Sequence, residues 1–172
     1  MKIRTAEIND LDRLYVFYNT VIDHQELDEY GPDWTKDVYP SKDDLESFIK
    51  NDHLYIYEED NNIACACAIR LHEDEIYLKA EWSRKLKEDE IGVLHLFAVH
   101  PDYRRKGYSK AFLKYVIEDH KNKIKAIHLD VVKGNLPAFR LYQEAGFTYI
   151  GEYEVYYADT GTITVDLMEY NY

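Results

Sequence analysis

The chain has little cysteine, proline or glycine: two, four and seven copies in 172 residues. Nothing in it approaches the roughly 18 consecutive apolar residues of a spanning helix, so a helical membrane protein is not expected. The opening Met1-Lys2-Ile3-Arg4-Thr5-Ala6-Glu7 lacks the apolar run of a secretory signal, and a cytoplasmic location is the expectation. No Gly/Ser/Pro linker, repeat or low-complexity stretch divides the chain, so one domain over residues 1–172 is expected. Positive charge is also scarce. With 21 Lys and Arg against 33 Asp and Glu the net charge is -12, which argues against a nucleic-acid partner. A negative field suits a cationic or amine-bearing partner, although solubility alone also accounts for it.

Cys65 and Cys67 lie in Ile63-Ala64-Cys65-Ala66-Cys67-Ala68-Ile69, without the second ligand pair of a zinc site. They read as small buried hydrophobes on one strand face with Ile63 and Ile69. Tyrosine, by contrast, is abundant at 17 copies, many in stretches with strand character.

Hydrophobic periodicity and turn signals give an alternating order of elements. A strand at 2–6 precedes a helix from Asn9 or Asp10 to His24, with Leu11, Leu14, Tyr15, Tyr18 and Ile22 on one stripe. A loop around Glu29–Trp34 leads to a second helix capped by Ser41 and Asp44, with Leu45, Phe48 and Ile49 inward. A hairpin of His53–Glu58 and Ile63–Leu71 follows, then a short strand around Tyr77–Trp82. Ile91–Val99, apolar on both faces apart from His95, reads as a central strand. A helix near Gly107–Lys121, a strand at Ala126–Val132, a helix at Leu136–Ala145 and strands near Phe147–Tyr157 and Thr162–Tyr170 complete the chain. The expected fold class is α/β (α+β), a mixed central sheet flanked by about four helices.

Two segments carry chemistry. Leu94–Leu113 joins the buried strand, through the basic turn Arg104-Arg105-Lys106-Gly107-Tyr108-Ser109, to an amphipathic helix. A helix N-terminus with unpaired N–H groups, a glycine that admits a ligand, and cationic side chains make a pyrophosphate cradle. It is neither a Walker A loop nor a dinucleotide fingerprint, which need further glycines. Asn135–Phe147 reads as a helix with Asn135 as N-cap, Pro137 in the first turn, a stripe of Ala138, Leu141, Tyr142 and Ala145, and Gly146 as terminator.

Together these segments resemble the GNAT superfamily of acyl-CoA-dependent N-acyltransferases. The family's Arg-x-x-Gly-x-Gly/Ala signature falls on Arg104, Gly107 and Ser109, with Ser109 departing from the usual Gly or Ala. Its later Asn, Ala, Tyr and Gly-Phe pattern falls on Asn135, Ala138, Tyr142 and Gly146-Phe147. The order and length of elements extend the likeness over nearly the whole chain. The resemblance implies that residues 104–109 bind the CoA pyrophosphate and that Phe97, Ala98 and Val99 pair with the pantetheine arm. Asn135 would touch the cofactor, and Tyr142 would protonate the departing thiolate. A phenol O–H on a rigid helix is a suitable donor, though a core tyrosine would fit the same stripe.

The implied reaction is direct transfer from acetyl-CoA to a primary amine, with no metal. The acceptor would be a small-molecule or peptide amine. A non-catalytic acyl-CoA-binding regulatory module is the alternative, and a nucleotide-binding protein using the same basic turn a remoter one. For the general base, His95, Glu81 and Glu90 are candidates, although His95 reads first as a satisfied buried histidine. By the same resemblance the acceptor pocket lies between the first two helices, where Glu26, Glu29, Tyr30, Trp34 and Tyr39 are found; Glu81 beside Trp82 is a further candidate. Acid and aromatic groups can hold an ammonium, and Trp34 and Tyr39 can equally anchor the loop to the core. The tyrosine-rich ending, with Tyr153, Tyr156, Tyr157, Tyr170 and Tyr172, suits either a homodimer surface or packing within the sheet.

Overall fold

The computed structural model describes residues 2–51, 53–73, 77–157 and 160–172. Its frame is a seven-stranded sheet in the order β1-β2-β3-β4-β5-β7-β6. The strands are β1 (Lys2–Thr5), β2 (His53–Glu59), β3 (Asn62–Leu71), β4 (Ile91–Val99), β5 (Ala126–Val132), β6 (Thr148–Tyr157) and β7 (Gly161–Asn171). Four α-helices accompany it: α1 (Leu11–Gln25), α2 (Lys42–Asn51), α3 (Tyr108–His120) and α4 (Leu136–Glu144). Every strand pair is antiparallel except β4 with β5, which are joined through α3. The mixed α/β class expected from the sequence is the one found.

α1 buries Leu14, Phe17, Tyr18, Val21 and Ile22, spaced by three and four, against Leu54, Ile56, Leu96 and Ala98. The stripe is therefore rotated slightly from the sequence expectation, with Phe17 and Val21 inside and Tyr15 at its edge. Each such side chain contributes about 1.5–3 kcal/mol on removal from water. α2 starts with the expected reciprocal cap: the Asp44 N–H donates to Ser41 Oγ at 3.1 Å and the Ser41 N–H to Asp44 Oδ2 at 2.9 Å. Asp10 behaves differently. Its side chain accepts the Glu7 N–H at 2.9 Å and is clamped by Arg4 at 2.6 Å and Arg13 at 2.9 Å. Arg4 also reaches Glu58 on β2, so the start of α1 is bound to two strands.

α3 and α4 cover the other face, where Phe112, Leu113, Val116 and Tyr142 pack on Cys67, Leu94, Ile127 and Leu129. Cys65 and Cys67 are fully buried, and burial pushes the Cys65 thiol up to about 12, which leaves it inert. Ile63 is not on their face, because a register shift at Tyr57/Glu58 turns it toward α1 and α2. Gly92 is required by close approach: a Cβ there would stand 2.7 Å from Ile124 Cδ1 and 2.9 Å from Ile69 Cγ2.

The stretch expected as a strand around Tyr77–Trp82 is a series of turns in its described residues. Tyr77 and Trp82 are an odd number of positions apart, so an extended strand would send them to opposite faces. Instead both join one cluster with Val93, Val155, Val165 and Leu167. Trp82 stacks on the buried His128 ring at 3.6 Å, and His128 lies between Glu73 at 2.7 Å and Glu169 at 3.3 Å. Among the described residues no helix is long and apolar enough to cross a membrane. Most of the terminal tyrosines serve packing: Tyr172 donates to the Ile117 carbonyl at 2.7 Å and Tyr170 packs on Phe147, while Tyr156 is exposed.

Candidate active site

The parallel strands β4 and β5 are in register only at Ile91/Ala126, Gly92/Ile127 and Val93/His128. Beyond that point β4 runs on to Val99 and β5 to Val132 without pairing, and a cleft opens between them. Beside it β4 bulges against β3. Ala66 pairs with Ala98 and Ala68 with His95, so Leu96 and Phe97 both stand opposite Cys67. Leu96 takes a left-handed φ of 56°, a costly conformation for a branched side chain, and the Tyr18 hydroxyl holds its carbonyl at 2.9 Å.

On one side of the cleft lies a groove of about 460 Å³, walled by Phe97–Val99, the turn after β4 and the first turn of α4. Left-handed backbone at Arg105 (φ 59°) and Gly107 (φ 79°) curls this turn and starts α3 at Tyr108. The first N–H groups of α3 have no carbonyl a turn earlier to bond, and Gly107 offers no side-chain cap. A Cβ at Gly107 would stand in open space, so the backbone is open to a ligand. Arg104, Arg105, Tyr108 and Ser109 line the groove with Gly107. Donor groups, dipole and guanidinium together fit a pyrophosphate.

Two carboxylates enter the same groove from the loop after α1, Asp28 and Glu29. Asp28 takes Arg104 Nη1 on both oxygens, at 2.6 and 2.7 Å. Burial works to raise its pKa, but the hydrogen bond and charge of Arg104 hold it below the usual carboxylate range.

On the other side lies a smaller cavity of about 170 Å³. The sheet contributes His95, Phe97 and Asp130 to it, α4 contributes Tyr142, and the loop before α2 contributes Asp33, Trp34 and Tyr39. The loop's aromatic wall is fixed by ring contacts from Tyr18 to Trp34 at 5.7 Å and from Trp34 to Tyr39 at 6.4 Å. Gln25 Nε2 also donates to the Trp34 carbonyl at 2.7 Å. Groove and cavity share Pro32, Trp34, Phe97, Asn135 and Ala138, so they meet at the mouth of the split. Tyr142 sits at this meeting point, edge-on to Phe97 at 6.0 Å. Burial, with the nearby Cys67 and Asp130, pushes its phenol well above the usual range, so it holds its proton at neutral pH.

The structure thus gathers most of the residues singled out in the sequence. Phe97, Ala98, Val99, Arg104, Arg105, Gly107, Tyr108, Ser109 and Asn135 line the groove, and His95, Trp34, Tyr39 and Tyr142 line the cavity. Asn135 also caps α4, accepting the Ala138 N–H at 3.2 Å. Lys106 is turned aside, its ammonium 4.9 Å from the centre of the Tyr103 ring. Glu81 is exposed and lines neither space; its N–H donates to the Tyr153 hydroxyl at 3.0 Å. Glu90 is paired with Lys125 at the far end of β4, and Glu29 and Tyr30 line the groove, not the cavity.

Asp130 is the residue that sequence reasoning missed. It lies on β5 beside the cavity, and the buried Tyr77 hydroxyl donates to its Oδ1. Its signal was available: one acid in the otherwise apolar run Leu129-Asp130-Val131-Val132.

A family model for the acetyltransferase (GNAT) family matches residues 19–147, most of the chain. No curated protein sequence matches it. Among solved structures, a GNAT-family acetyltransferase from Streptococcus pneumoniae is similar at a TM-score of 0.75 and 22% identity, over 99% of both chains. A ribosomal-protein-alanine N-acetyltransferase from Brucella melitensis aligns over 100% of both chains, with a TM-score of 0.73 and 15% identity. A Salmonella typhimurium structure with its cofactor acetyl-CoA aligns at 0.72 and 16% identity, over 99% of this chain and 93% of that one. These likenesses concern the fold, which places the split sheet, basic turn and α4 of this chain in a common frame. With its family model matched across that frame, the chain belongs to the GNAT family of acetyltransferases.

Proposed function

We propose that the protein transfers an acetyl group from acetyl-CoA to a primary amine. The observation that carries this reading is the meeting of a groove suited to an anion and a separate acidic, aromatic cavity at Phe97 and Asn135, with Tyr142 lining the cavity against Phe97. Bound in the groove, acetyl-CoA supplies an acetyl thioester activated toward nucleophiles. Arg104, Arg105 and the first N–H groups of α3 hold its pyrophosphate, and Phe97 to Val99 align the pantetheine arm.

The protein's own groups then manage protons. An alkylamine has a pKa of about 10, so it arrives charged and must lose a proton before it can attack. Asp130 is suited to receive that proton, because it lines the cavity and Tyr77 fixes its orientation. His95 on the facing strand is the second acceptor in the same space. Tyr142 would give its proton to the departing sulfur and regain one from the nitrogen that becomes the amide, and burial keeps the phenol protonated for that role. Trp34 and Tyr39 line the cavity and supply aromatic surface that suits an ammonium.

Release of CoA thiol, followed with a panel of primary amines, tests the reading. Amine-dependent release is expected, with kcat about 10²-fold lower in Tyr142→Phe and acetyl-CoA affinity retained. Tight acetyl-CoA binding without amine-dependent release from any acceptor would overturn it.

A further inference from the structure

The acceptor cavity has a one-sided chemistry that bears on which amine it takes. Among the described residues two carboxylates line it, Asp130 from β5 and Asp33 from the loop between α1 and α2. Among the described residues that line it there is no lysine or arginine. The residues outside the described segments (Met1, Asp52, Asp74, Glu75, Ile76, Ala158 and Asp159) include no lysine, arginine or histidine. An acceptor carrying its own carboxylate would therefore bring a third negative charge into the cavity with no guanidinium or ammonium to meet it. Loss of that anion's hydration without a partner is costly.

The two acids differ in depth. Asp130 is half-buried on the sheet, held by Tyr77 and close enough to Tyr142 to influence its phenol. Asp33 is exposed on the loop, next to Trp34, and lines the same cavity. One cation at the reacting end and a second at the mouth would satisfy both. Between them the walls are aromatic and aliphatic: Trp34, Tyr39, Tyr157 and Ile163, suited to a short hydrocarbon spacer and to cation–π contact. At about 170 Å³ the space is small. Cavities of about 150 Å³ hold a molecule the size of benzene. The net charge of -12 favours a dication in the long-range field as well.

We infer that the acceptor is a small aliphatic diamine, or a polyamine entering by one end, free of carboxylate. Its reacting amine lies by Asp130 and its second ammonium by Asp33. This rests on the acetyltransfer reading above and adds to it the class of the acceptor.

The test compares 1,4-diaminobutane, butylamine and 4-aminobutanoate as acceptors with acetyl-CoA. These share one reacting end and differ only in the far group. The expected order of kcat/KM is diamine, then monoamine, then amino acid, with at least about tenfold between the first and last. In Asp33→Asn the diamine-to-monoamine ratio should fall about threefold to fivefold, the size expected of one exposed charge pair. Asparagine tolerates the left-handed φ of 56° at position 33, so the loop is retained. Equal or better use of 4-aminobutanoate, or turnover confined to peptide amines, would overturn this inference and leave acetyl transfer standing. Absence of turnover with every amine, while acetyl-CoA still binds, would remove both.

Discussion

The buried Tyr18 hydroxyl on α1 donates a 2.9 Å hydrogen bond to the carbonyl oxygen of Leu96, the left-handed residue at the bulge of β4. One helix side chain thus supports the backbone irregularity of β4 beside the cleft. In Tyr18→Phe that carbonyl loses its buried donor, which costs about 1–3 kcal/mol. The expected result is a lower denaturant midpoint together with a raised KM for acetyl-CoA. A loss of stability with no effect on KM would show that the bulge holds without the bond.

Asp28 occupies the guanidinium of Arg104 inside a groove suited to an anion. Asp28→Asn removes a negative charge that a polyanionic ligand must approach. CoA affinity measured by calorimetry should rise about threefold to fivefold at low salt, and the gain should shrink as salt screens it. Weaker binding would mean that Asp28 positions Arg104 for the phosphate.

Asp130 and His95 can be separated by rate. Without its proton acceptor the enzyme depends on amine already deprotonated in solution. Asp130→Asn is therefore expected to lower kcat/KM by about 10²-fold near neutrality, with recovery of about tenfold per pH unit as pH rises. His95→Gln should cost less than about fivefold on the same scale. The reverse pattern would assign the proton to His95.

The Arg4–Asp10–Arg13 cluster makes a prediction about acid stability. The hydrogen bond from Arg4, aided by the Glu7 N–H and the charges of Arg4 and Arg13, lowers Asp10 from 3.8 to about 2 although burial opposes it. The folded pKa is depressed, so this stabilisation is complete above about pH 4 and is lost as pH falls toward 2. The difference corresponds to about 2 kcal/mol. Unfolding free energies from pH 6 to pH 2 should fall more steeply in the native protein than in Asp10→Asn, the two curves converging at the acid end.

The alternation of elements could be read from the chain because each carries its own period. β4 is apolar on both faces, α1 repeats at three and four, and Ser41 with Asp44 marks the start of α2. The basic turn and the Asn135–Phe147 helix were legible for the same reason: a cap, a glycine and a tyrosine at fixed spacing define their geometry locally. The segment 77–90 was not, because Tyr77 and Trp82 owe their common orientation to Val93, Val165 and His128, residues distant in sequence. Cys65 and Ile63 were placed on one face by counting twos, and a register shift set by the neighbouring strand separated them.

What the sequence determined by itself was the family and the basic turn proposed to hold the cofactor, since strand, turn and helix N-terminus are contiguous and their donors are backbone groups. Only the tertiary structure decided what lines the cavity proposed for the acceptor. Asp130, His95, Asp33 and Tyr142 come from four separated elements, and they meet in one cavity where the pairing of β4 with β5 has ended. A carboxylate's neighbours in space set its role, and those neighbours are chosen by packing, which no local spacing encodes.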